Sequence, residues 1–91
     1  MPVLSDAEIS AKKGLLKGWE VEGKEIVKKF KFKDFQVAMA FVLRVSYLAE
    51  AADHHPDILI SYSRVTLRLS THSAGGLTEK DFNLATQVDQ I

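Results

Sequence analysis

Apolar positions along the chain switch between two spacings, and each switch predicts a new element. Ser5-Asp6-Ala7-Glu8 is a capping-box pattern, with serine at the N-cap and glutamate at N3. The helix it opens is expected to reach about Leu16, with Ile9, Leu15 and Leu16 as apolar contacts and Gly18 as its stop. Trp19-Glu20-Val21-Glu22-Gly23-Lys24 reads as a short strand and a glycine turn. Residues 25–32 then alternate. Ile26, Lys28, Phe30 and Phe32 share one face while Val27, Lys29 and Lys31 take the other, which predicts a half-buried strand and closes a hairpin.

From Asp34 the period lengthens. Ala38, Phe41, Val42, Val45, Leu48, Ala49 and Ala52 follow steps of three and four, with Asp34 as N-cap. This is the longest helix expected, about 18 residues, and Pro56 forces it to stop nearby. Ile58, Ile60 and Tyr62 alternate next, followed by Val65, Leu67 and Leu69. A two-residue turn at Ser63-Arg64 pairs Tyr62 with Val65, Ile60 with Leu67 and Ile58 with Leu69, which puts all six on one side. Ser-Arg is a weak tight-turn pair, so the pattern rather than the turn carries this register. Thr78 caps a last helix whose buried side is Phe82, Ala85 and Val88. The order α-β-β-α-β-β-α predicts an α+β fold, a four-stranded antiparallel sheet with three helices packed on one face.

The 91 residues suffice for a single domain spanning 1–91 and leave no room for two cores. Twelve basic residues offset twelve acidic ones, so nothing in the total charge draws the chain to nucleic acid. Without cysteine there are no disulfides or thiolate metal sites, which fits a reducing, cytoplasmic setting. The first residues lack the basic-then-apolar pattern of a secretory signal, and no uninterrupted apolar run approaches the ~20 residues of a membrane span.

The chemistry concentrates in the segment 52–76, which holds all three histidines, His54, His55 and His72. Extending the predicted second hairpin outward sets His55 opposite His72. Helix capping is the bland alternative for the histidine pair. Convergence of three imidazoles favours function instead, with Glu50, Asp53, Asp57 and Asp81 able to orient ring tautomers and the glycines of Thr71-His72-Ser73-Ala74-Gly75-Gly76 lending flexibility. Three histidines can bind zinc. Yet adjacent His54 and His55 on an extended segment face opposite ways, and no HExxH spacing is present. Metal-free acid–base catalysis is the better reading. No GxSxG, GxGxxG or P-loop occurs, so no nucleophilic serine and no nucleotide cofactor is expected.

The run Asp53-His54-His55-Pro56-Asp57-Ile58, then Tyr62, Val65, Leu69, Thr71-His72, Ala74-Gly75-Gly76-Leu77-Thr78-Glu79-Lys80-Asp81, resembles the pterin-4a-carbinolamine dehydratases, also called dimerisation-cofactor proteins. The resemblance extends back through Glu50, the Phe30-Lys31-Phe32-Lys33-Asp34-Phe35 stretch and Gly18-Trp19. It implies a catalytic trio at His54, His55 and His72, with His54 and His72 exchanging protons and His55 holding the pterin. It also implies that Glu50 and Asp81 lie at the pocket, and that Pro56, Thr71, Ser73 and Ala74 line the substrate. The implied reaction is loss of water from a 4a-hydroxytetrahydropterin to give the quinonoid dihydropterin, in tetrahydrobiopterin or related pterin recycling, with no metal or cofactor. Implied partners are the pterin, an aromatic amino acid hydroxylase upstream, and further copies of the chain in a homodimer or homotetramer. Animal members often carry tryptophan where Ile58 stands, so an aromatic wall is missing here. The rival reading is a non-catalytic binding module, either a dimerisation cofactor or an assembly chaperone.

Overall fold

The computed structural model describes residues 2–91. Its elements are α1 (Asp6–Lys13), β1 (Glu20–Glu22), β2 (Glu25–Lys31), α2 (Phe35–Ala52), β3 (Asp57–Ser61), β4 (Arg64–Leu69) and α3 (Glu79–Val88). A 3₁₀ turn, His72–Ala74, lies between β4 and α3. The expected α-β-β-α-β-β-α order is therefore present, and all strand pairs are antiparallel. The sheet order is β1-β2-β4-β3, so the two hairpins join through β2 and β4 and leave β1 and β3 at the edges.

One sheet face carries Ile26, Val65, Leu67 and Leu69, all buried against the helices. Ala38, Phe41, Val45 and Ala49 of α2 and Phe82, Leu84, Ala85 and Val88 of α3 complete the core. Burying one such large side chain contributes roughly 1.5–3 kcal/mol, which makes this layer the main source of stability. Among the described residues α2 is also the one helix long and apolar enough to cross a membrane by length and composition. Here its Ala38, Phe41, Val45 and Ala49 stripe is committed to the core instead, while Ala52 is exposed rather than buried.

Two local expectations are corrected. Helix α1 stops at Lys13, with Gly14 at its C-cap, instead of reaching Leu16. Leu15 and Leu16 donate to the carbonyls of Lys12 and Lys13 in single turns, and Leu15 is left 85% exposed. Glycine favours this early stop because it weakens the helix there, and Leu16 reaches its partly buried place against the core from the turns that follow. The second hairpin turns at Tyr62-Ser63 rather than Ser63-Arg64, pairing Ile60 with Val65 and Ile58 with Leu67. Both registers keep the apolar residues on one face, because they differ by two residues. The neighbouring strand decides between them: Phe32 donates its backbone N–H to the carbonyl of Ser63 at 2.8 Å, and Lys31 pairs with Arg64. Tyr62 accepts a φ of 55° as a consequence. Extended outward, the observed ladder sets His54, not His55, on the line of Thr71 and leaves His72 beyond it.

Candidate active site

Three chain segments meet at one end of the sheet: the C-terminus of α2, the loop after β4 and the first turn of α3. Helix α2 ends with Asp53 in the left-handed conformation (φ 49°), its N–H bonded back to the helix carbonyls. The N–H of His54 also returns to Ala49 O, at 3.0 Å. This sharp stop points His54 inward, where it is only 8% exposed, and leaves the next residue, His55, outside.

Behind His54 lies Asp81, fully buried. His54 Nε2 is 2.5 Å from Asp81 Oδ1, while Oδ2 accepts from Thr71 Oγ1 at 2.9 Å and from the Thr78 backbone N–H at 2.9 Å. Thr71 spends its hydroxyl proton on Asp81, so Thr78 Oγ1 is the donor in the 2.8 Å contact between the two threonines. A buried carboxylate surrounded by three donors is an acceptor on every side, and such satisfaction is what makes its burial tolerable. Asp81 closes the capping box of α3 with Thr78 at the same time. One short sequence, Thr78-Glu79-Lys80-Asp81, thus starts a helix and fixes a histidine. With Nε2–H committed to Asp81, the tautomer of His54 leaves Nδ1 as its free acceptor.

His72 is presented by a closed loop. Thr71 and Gly76 bridge across it, with the N–H of Thr71 bonded to Gly76 O at 3.0 Å. Gly75 sits at φ 80°, a conformation costly for a residue with a Cβ. Gly75 thus supplies the left-handed residue that closes the turn presenting His72. His55 pairs with Glu50 at 2.6 Å on the surface of the last turn of α2.

A cleft of about 400 Å³ opens between these parts. His54, His55, His72, Thr71 and Ser73 line it, together with Asp53, Ser70 and Lys80. Of the other residues expected at the substrate, Glu50 stands behind His55, Asp81 lies buried behind His54, and Pro56 and Ala74 are not part of the wall. Ser70 and Lys80 were not read from the sequence as site residues. A lysine in the first turn of a helix, against the helix dipole, is the one signal that singles out Lys80. Among the described residues no group of three or more histidine, aspartate and glutamate side chains is arranged to hold a metal ion.

Comparisons with known proteins identify the family of the chain. The model of the family "Pterin 4 alpha carbinolamine dehydratase" matches residues 2–91. A relative from Roseiflexus sp. (strain RS-1), named "Putative pterin-4-alpha-carbinolamine dehydratase", is 59% identical over 97% of this chain and 95% of its own. A relative of the same name from Chloroflexus aurantiacus is 55% identical over 100% of this chain and 98% of its own. A crystal structure of a transcriptional coactivator/pterin dehydratase from Brucella Melitensis superposes with a TM-score of 0.92 at 38% identity, covering 97% of this chain and 96% of that one. A pterin dehydratase-like protein identified as a RuBisCO assembly factor in the alpha-carboxysome is more distant. Its TM-score is 0.68 at 26% identity, over 80% of this chain and 87% of that one. By its whole-length match and these relatives, the chain belongs to the pterin 4 alpha carbinolamine dehydratase family.

Proposed function

We propose that the protein is a hydro-lyase that converts a 4a-hydroxytetrahydropterin into the quinonoid dihydropterin and water. The observation that carries this reading is the cleft bordered by three imidazoles, one of them backed by a buried carboxylate. In the reaction the C4a–O bond breaks, the N5 electron pair forms the C4a=N5 double bond, and the N5 proton departs. A proton delivered to the hydroxyl makes water the leaving group. His54 takes the N5 proton on Nδ1, and Asp81 stabilises the imidazolium that results. His72 protonates the hydroxyl, and solvent returns the proton from His54 to His72. His55, steadied by Glu50, holds the pterin. An acid and a base so placed contribute roughly 10²–10⁴-fold in rate.

The finer assignment is recycling of tetrahydrobiopterin or a related pterin, downstream of an aromatic amino acid hydroxylase, by a cytoplasmic homodimer or homotetramer. The absence of cysteine and the neutral charge support that setting. Likeness to the RuBisCO assembly factor favours a second reading, a protein-binding module that uses the same fold without the chemistry.

Steady-state dehydration kinetics separate the two. His54→Ala and His72→Ala are expected to lower kcat more than they raise KM, and the double variant to fall near the uncatalysed rate. His55→Ala is expected mainly to raise KM, because it removes binding common to ground and transition states. A double variant with near-normal kcat and an unchanged melt rules out this mechanism. An inactive wild type hands the fold to the binding reading.

A further inference from the structure

The cleft contains a cation that the dehydration step does not use. Lys80 lies in the first turn of α3, where the helix dipole disfavours positive charge. It makes no ion pair among the described residues. The other pairs engage Lys12, Lys13, Lys28 and Arg68, and the cleft imidazoles His54 and His55 have their own carboxylates. An ammonium group opposed by its helix and unmatched by any carboxylate is suited to an anion brought by a ligand.

The reaction centre is the wrong place for that charge. As the hydroxyl leaves, positive charge grows across C4a and N5, and a neighbouring ammonium would oppose it. The pyrimidine edge of a pterin, with its N3–H and 2-amino donors, complements a carboxylate such as Asp53 in the same cleft, while its C4 carbonyl and N1 are neutral acceptors that leave an ammonium charge unmatched. What remains is the substituent on the pyrazine ring. We propose that Lys80 reads this substituent, and that the preferred substrate carries an anionic group there, a phosphate ester or a carboxylate, in place of a neutral polyol. The inference rests on the dehydratase reading and adds the substrate class to it.

The test compares kcat/KM for 4a-hydroxytetrahydropterins that share one ring and differ at position 6: a neutral polyol, its phosphate ester and a carboxylate-bearing substituent. Wild type is expected to favour the anionic substrates by about tenfold at low salt, as one partly exposed charge-assisted contact allows. The phosphate and carboxylate arms show which anion it takes. Lys80→Ala should bring the ratio to about one, Lys80→Glu should invert it, and Lys80→Arg should keep it. If the wild-type ratio is near one, or Lys80→Ala lowers all three substrates equally, Lys80 binds a group common to every pterin and the inference is overturned while the dehydratase reading stands. If no substrate is turned over, both fall together.

Discussion

At the scale of single residues, the site depends on one carboxylate that never meets the cleft. Asp81 is buried with His54, Thr71 and the Thr78 amide around it, and in the proposed mechanism it sets which nitrogen of His54 carries the proton. Asp81→Asn preserves the shape and replaces an acceptor with an amide that can also donate. The expected result is a fall in kcat of about 10²-fold or more with KM little changed, as occurs when a histidine is held in the wrong tautomer. A purely structural role predicts the reverse: a lowered melt with normal kcat in the molecules that stay folded. The sequence made the histidines legible, because His54-His55-Pro56 and Thr71-His72 are a specific pattern in a chain with no other histidine. It also marked Asp81 as important. It did not separate a residue that touches substrate from one that stands behind a histidine, since that difference is one of depth, and depth depends on how α3 packs against the end of α2.

At the scale of elements, periodicity and caps were sufficient where they agreed. Asp34 caps α2 through the Val37 amide, Thr78 caps α3, and Ser5 caps α1 with Glu8 in the reciprocal position, each at the residue the pattern indicates. Failures came where two answers satisfied the same pattern. The β3–β4 register is of this kind: a slip of two residues leaves every side chain on its own face, and only contact with β2 breaks the tie. Val27 is another, alternating toward the outer face yet buried there, between its register partners Glu20 and Arg68. The α1 capping box makes a prediction about acid. The Ser5 backbone N–H, donated to Glu8, and then the Ser5 side chain hold the Glu8 carboxyl below its ordinary value. A group lowered on folding stabilises the folded state above its unfolded value and loses that contribution as pH falls through the folded one. Urea titrations of wild type and Glu8→Gln should therefore converge as pH drops below the usual glutamate range and separate above it. Parallel curves through that range would show that ionisation of Glu8 contributes nothing to folding.

At the scale of the whole molecule, the two edges of the sheet differ in how much apolar surface they expose. The accessible area is 5765 Å², against about 5300 Å² expected for a monomer of this mass, and the extents of 38 × 23 × 20 Å show an elongated body. The two sheet edges are treated differently. Strand β1 is three residues long and carries Glu20 and Glu22, a charged edge that discourages pairing. Strand β3 presents Ile58, 37% exposed, and Leu59, 65% exposed, with acid only at its start, so its free backbone groups are open to another strand. The expected assembly therefore pairs β3 with β3 of a second copy, extending the antiparallel sheet across a two-fold axis. Multi-angle light scattering at micromolar concentration should report a mass of at least two chains. The double variant Ile58→Lys, Leu59→Lys places like charges across that axis and should shift the mass toward one chain. Because those positions lie outside the core, the secondary structure seen by circular dichroism should survive the change. A wild type that remains a monomer, or a double variant whose mass does not change, removes β3 as the interface.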